Sequence, residues 1–270
     1  MAKKSKTKKE EIKEEIKENE EYYDEDEPKK SGKLFVILSV LIALAIIVTG
    51  SVLFALFFCN IQKIELSGNT ILIDEEIKQD LIVDDYDKNA VFLVIKNIIT
   101  PRKDIPFVES MDITMKDLNT VSVKIKEKEI VGFILDADKN RIYYNSEGKV
   151  QEISKVKVKG AIRCVPEGEL SQVTVGSDIP IREKSRRELV TLHRELKKND
   201  IHISKIEITE EGNFILYYKS ITIRLGTSSN MAEKVLRLKY ILPKVKKKSG
   251  TLHLEDWSEG NKDIVFEMAE

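Results

Sequence analysis

From Leu34 to Phe58 no charged residue interrupts a run of Leu, Ile, Val, Phe and Ala, while the chain on both sides is polar. At about 1.5 Å per residue, such a run reaches roughly 37 Å as a helix, more than the ~30 Å hydrocarbon core of a bilayer. The pattern predicts one transmembrane helix over residues 34–58, anchored by side chains such as Leu34, Phe35, Leu41, Ile46, Phe54 and Phe58. A buried core helix would carry a polar face, and a cleaved signal peptide would have a shorter apolar stretch and small residues at a cleavage site. Neither is present, so the span is read as an uncleaved anchor.

Past the span the period changes. Residues 61–66 alternate and run into Gly68-Asn69, which reads as a strand entering a turn. Asp74 is a candidate N-cap for a helix with Ile77 and Leu81 on one face, and Val91 to Ile99 forms a second apolar helix stopped by Pro101. Met111, Ile113 and Met115 alternate, a polar turn follows over Lys116 to Thr120, and Val121, Val123 and Ile125 alternate again. The expected order over residues 59–129 is therefore strand, helix, helix, strand, strand.

From Ile130 onward the chain is strand-rich. Residues 131–135, 141–145, 205–209, 214–218, 221–225 and 251–255 are enriched in β-branched and aromatic residues and separated by turn residues. Two amphipathic helices interrupt them, one through Leu189, Leu192, His193 and Leu196, the other through Met231, Val235, Leu238 and Leu242. Asn230 and Glu233 have the spacing of a capping box, and Pro243 is expected to bend or end the second helix. The fold class is α+β: an anchor, a small helix-covered sheet, a mixed β-sheet domain over residues 130–256 with packed helices, and a C-terminal tail over 257–270.

Charge fixes a topology. Lys29, Lys30 and Lys33 directly precede the span, and basic residues are retained on the cytoplasmic side. The N-terminus is expected inside and the globular part outside the cytoplasm. Residues 1–33 carry 10 Lys and 11 Asp or Glu, in blocks and with few apolar neighbours, a composition of disorder. Ile12 and Ile16 permit a short helix on a partner, and the basic run Lys3 to Lys9 could meet anionic lipid. The remaining balance of 35 basic and 35 acidic residues has no electrostatic footprint for nucleic acid. Two cysteines, Cys59 and Cys164, give no disulfide framework.

Candidate chemistry is sparse. The three histidines, His193, His202 and His253, stand without a nucleophile or carboxylate motif, and neither a phosphate loop nor a zinc spacing occurs. Asp136, Asp138, Asn140 and Glu147 match part of a calcium loop, but Arg141 stands where that loop needs Gly, and a polar hairpin turn is the better reading. No cofactor or metal is expected.

Several segments resemble the FtsQ/DivIB family of bacterial cell-division proteins: residues 61–77 the opening of its POTRA domain, Ile105, Pro106, Val108 and residues 113–129 its close, residues 141–150 a turn with an acidic residue before Gly, and residues 221–238 a strand ending in Gly before a helix with Glu-Lys near its start. Ile130 stands where the family often has Pro, and His253-Leu254-Glu255 where it often has an Asp-Leu-Arg-like triplet. The resemblance implies a POTRA domain of β-α-α-β-β order and a non-catalytic scaffold at the division septum, joined to FtsL-type and FtsB/DivIC-type single-pass proteins and supporting the septal peptidoglycan synthase. The competing readings are a membrane-anchored cell-wall enzyme and a POTRA module for polypeptide transport or sensing.

The candidate partner site is the C-terminal run Thr251, Leu252, His253, Leu254, Trp257 and Phe266. Either Trp257 and Phe266 close the core, or the last strand also offers its edge to a partner.

Overall fold

The computed structural model describes residues 31–101, 105–168, 170–258, 260–261 and 263–269. The readings for residues 1–30 lie outside the described residues. Helix α1 (Ser31–Phe58) begins three residues before the expected span, and none of its most apolar window is buried by protein. Leu34, Phe35, Leu41, Ile46, Phe54 and Phe58 are all exposed. An apolar helix with no polar face is stable only where lipid replaces water around it.

Residues from Cys59 onward form a second compact unit. It opens with β1 (Lys63–Ser67), α2 (Asp74–Leu81), a 3-10 turn at Asp85–Lys88, α3 (Ala90–Ile99), β2 (Val108–Met115) and β3 (Thr120–Glu127). The strands lie in the order β1-β3-β2, with β1 parallel and β2 antiparallel to β3. Ile77, Leu81, Ala90 and Leu93 from the helices meet Ile113, Val121, Val123 and Ile125 from the sheet. The Gly-Asn turn requires its glycine: Gly68 has φ +90°, and a Cβ there would lie 2.2 Å from the carbonyl oxygen of Ile125. Glu127 ties the same turn down by accepting from the Thr70 and Ile71 N–H groups at 2.6 and 2.8 Å.

Capping differs from expectation at α2. Ile73 holds the cap position with no side-chain bond, while Asp74 is the first helical residue and its carboxylate accepts from Asn69 Nδ2 at 2.9 Å. Asp74, Glu75 and Glu76 instead favour the positive end of the helix dipole. Asn89 caps α3 and accepts from Val91 and Phe92 N–H.

The second sheet has nine strands: β4 (Gly132–Leu135), β5 (Arg141–Tyr144), β6 (Val150–Ser154), β7 (Ile162–Val165), β8 (Lys205–Ile208), β9 (Phe214–Tyr218), β10 (Ile221–Gly226), β11 (Gly250–His253) and β12 (Val265–Met268). Their spatial order is β12-β11-β10-β9-β8-β7-β4-β5-β6. Helices α4 (Glu183–Lys198) and α5 (Met231–Val245) bury Leu189, Leu192, Leu196, Val235, Leu238 and Leu242 in the core of this sheet. Strand β12 lies in the stretch expected to be a tail, because Val265 to Met268 pair with β11. Asn230 holds the N-cap position of α5, but in a left-handed conformation, φ 52°, with no side-chain cap bond. Pro243 sits in the last turn of α5 and has no N–H to offer the Lys239 carbonyl four residues back, and the helix ends two residues later at Val245.

The partial calcium motif is a hairpin turn. Asp136 accepts from the backbone N–H and the Nδ2 of Asn140, both at 2.8 Å.

His193 is enclosed beside Tyr144, with Nε2 and Oη 3.0 Å apart. Burial pushes its pKa down from 6.5 to about 4. The unfolded chain therefore binds a proton that the fold resists as pH falls below 6.5, and stability drops through that window toward pH 4 by about 3 kcal/mol. His193→Gln keeps an acceptor for Tyr144 and should flatten thermal stability against pH there. An unchanged slope would assign the acid sensitivity to other groups.

Candidate docking edge

Strand β10 is a natural sheet interior. Ile221, Ile223 and Leu225 point into the core, and Gly226 ends the strand. On one side β10 pairs antiparallel with β9, and on the other it pairs parallel with β11, Ile223 opposite Leu252 and Arg224 opposite His253. Strand β11 then pairs antiparallel with β12, Leu252 opposite Phe266 and His253 opposite Val265. Both backbone sides of β11 are thus occupied. The edge of the sheet lies one strand further out than the sequence suggests, because Val265 to Met268 return to pair with β11.

The six expected site residues fall into two sets. Leu252, Leu254 and Trp257 are buried core residues. Thr251, His253 and Phe266 are half-buried, and Phe266 packs against the same core. On β12 itself Val265, Glu267 and Met268 are exposed. The sequence signal for them was present in Ile264, Val265 and Phe266, a β-branched and aromatic run beyond the loop.

Backbone direction follows from one bond. The Ala269 N–H donates to the Ser249 carbonyl at 3.0 Å, so alternation turns Glu267 and Val265 toward β11 and leaves the N–H groups of Phe266 and Met268 aimed outward. A short edge with outward donors can accept another strand.

Lys234 fixes the base of this edge. It is almost wholly buried on α5, and its Nζ donates to the carbonyls of Leu225 at 2.9 Å, Glu255 at 3.3 Å and Thr227 at 3.4 Å. Burial pushes its pKa below the ordinary lysine value. Arg237, on the same helix, lies over the Trp257 ring at 5.6 Å.

A polar clasp spans the outer strands. His253 Nδ1 is 2.9 Å from Glu255, its Nε2 is 3.5 Å from Glu267 on β12, and Arg224 is 3.4 Å from Glu255. The hydrogen bond to Glu255 raises the His253 pKa against partial burial. The contribution of the clasp is full below about pH 6.5 and is lost as pH rises through the folded pKa. Amide exchange in β12, corrected for its intrinsic pH dependence and referred to β9, should therefore quicken above neutrality. His253→Gln should remove that pH dependence; its persistence would separate β12 anchoring from the histidine.

This arrangement has no convergent nucleophile, acid or base. Together with one apolar span among the described residues it defines a membrane-anchored protein in which β12 forms one edge of the large sheet.

No family model matches the chain. It is 24% identical over 220 residues to a cell division protein DivIB of Clostridium botulinum, covering 80% of this chain and 84% of that protein. It is also 24% identical over 185 residues to a cell division protein DivIB of Clostridium acetobutylicum, covering 66% of this chain and 71% of that one. The chain is thus similar to bacterial cell-division proteins. Among these, the comparisons bear out the resemblance to the FtsQ/DivIB family.

Proposed function

We propose that the chain is a non-catalytic scaffold of the division septum, held in the cell membrane with its N-terminus in the cytoplasm and residues 59–270 outside it. It joins FtsL-type and FtsB/DivIC-type single-pass proteins and through them supports septal peptidoglycan synthesis. The small sheet over residues 59–129 is its POTRA domain. The observation that carries the reading is the open edge of β12, where a partner strand gains backbone bonds and side chains such as Val265, Phe266 and Met268 select it.

Met268→Pro tests the edge, since it removes an outward donor while sparing the bonds to β11. Binding of the FtsB/DivIC-type partner to the full chain should weaken by more than about tenfold, equivalent to ~1.4 kcal/mol. Thermal unfolding of the variant checks that the sheet is intact. Unchanged affinity in a folded variant would exclude β12.

Depleting the protein from its host should give undivided filaments or chains; normal septation would defeat the scaffold reading. External protease on spheroplasts should digest the C-terminal part and spare the tail before Leu34. Protection of the C-terminal part would reverse the topology.

A further inference from the structure

Helix α3 carries an apolar face that the fold does not bury. Ile98 and Ile99 are 71% and 75% exposed, Ile95 is exposed beside them, and Val91 and Phe92 are half-buried on the preceding turns. Tyr86, 73% exposed, stands edge-on to Phe92 with ring centroids 6.4 Å apart. A surface helix ordinarily turns polar residues outward. Here positions 91, 95 and 98, one helical face, are all aliphatic.

The start of this helix is tied to the first residues beyond the span. The Ala90 N–H donates to the Cys59 carbonyl at 2.8 Å, the Ile61 N–H donates to the Lys88 carbonyl at 2.8 Å, and Asn60 pairs with Asn89 as an isolated bridge. Cys59 directly follows Phe58, the last residue of α1, and consecutive Cα atoms are only about 3.8 Å apart. Backbone bonds and chain connectivity therefore keep the start of α3 close to the residues that directly follow the span.

Charge does not oppose this. Asp85 pairs with Lys88 at 2.7 Å, and Lys96 pairs with Asp84 at 2.8 Å and with Asp87 at 2.7 Å. Each of the three acids near Tyr86 thus has a lysine partner, two lysines in all, and the aliphatic face lies beside them.

We propose that this face of α3, with Tyr86 at its membrane end, is a bilayer-contact surface that lays the helix against the lipid from which the chain emerges. The occupant is the interfacial zone of the bilayer, where aromatic rings settle at headgroup level and aliphatic side chains reach the acyl boundary. The contact is apolar and needs no anionic lipid. It adds a second attachment to the span and restricts how the outer sheets tilt above the membrane.

The test uses the full chain in phosphatidylcholine nanodiscs, with a nitroxide on Tyr86→Cys, Ile95→Cys or, as reference, Tyr240→Cys, an exposed position on α5. The native thiols, Cys59 and Cys164, are buried. Collisions with oxygen relative to a water-soluble nickel complex should rise severalfold at Tyr86 and Ile95 over Tyr240, and should not change when anionic lipid is added. Nickel access at both sites equal to that at Tyr240 would overturn the proposal. Equal access that falls only when a single-pass partner is co-reconstituted would also overturn it and assign the face to protein. Two labelled positions on separate turns guard against misfolding of one variant.

Discussion

Replacing Tyr143 by Ala should cost about 3–5 kcal/mol, the range for emptying a buried aromatic site. Tyr143 belongs to β5 of the large sheet, yet its ring is buried in the core of the small one. It meets Phe107 edge-on at 5.3 Å and Phe133 at 5.7 Å. Its Oη donates to the Val156 carbonyl and accepts from the Val158 N–H at 3.0 Å. Around it, Glu152 accepts from the Phe107 N–H at 3.1 Å and from Lys128 Nζ at 2.9 Å, an ion pair with both side chains 17% exposed. Truncation therefore opens a cavity in the small-sheet core and cuts the hydrogen bonds that hold the Val156–Val158 backbone against it. Thermal unfolding of the full chain in detergent should shift down by about 10 °C and split, with residues 59–129 melting first. Tyr143→Phe, which keeps the ring but leaves the Val158 N–H unpaired, should cost only about 1–2 kcal/mol. A Tyr143→Ala protein that melts like the parent would show that the two cores are energetically independent.

Lys234→Ala should cost about 3 kcal/mol, because it strips the donor from three backbone carbonyls at once and empties the space of a buried stem. Lys234→Met restores most of the stem volume, so it isolates the polar part, and the carbonyls of Leu225, Thr227 and Glu255 then face a side chain that cannot donate. Denaturant unfolding measures both. The Glu255 carbonyl sits where β11 leaves the sheet, so both variants should also loosen β12 and weaken whatever binds its edge. Parent-like stability in both would mean that the ammonium only offsets its own burial.

The sequence was most legible where one face alone is buried. Strands β3, β8 and β10 alternate, with Val121, Val123 and Ile125 or Ile221, Ile223 and Leu225 inward, and α4 shows its stripe of Leu189, Leu192 and Leu196. Strands β6 and β7 were not legible: β6 fully buries only Val150, and β7 is four residues long. Their pairing comes from neighbours distant in sequence, as β7 lies parallel to both β4 and β8. Lys234 reads as surface, since nothing in the local sequence announces the three carbonyls that its amine meets. The sheet edge was read one strand short for a similar reason. Alternation identifies β11 as a strand, but only the return pairing of Val265 to Met268 shows that its outer side is covered.

The parallel pairing of β1 with β3 bears on how the chain folds while it is made. Lys63 pairs with Thr120 and Ser67 with Lys124, so the first strand after the span finds its partner only after α2, α3 and β2 have followed it. Pairing across such a sequence distance bears a loop-closure cost before any contact repays it. Until the hairpin of β2 and β3 closes over them, Ile64 and Leu66 remain uncovered, which makes completion of that hairpin the step that ends the exposure of this segment to misassembly.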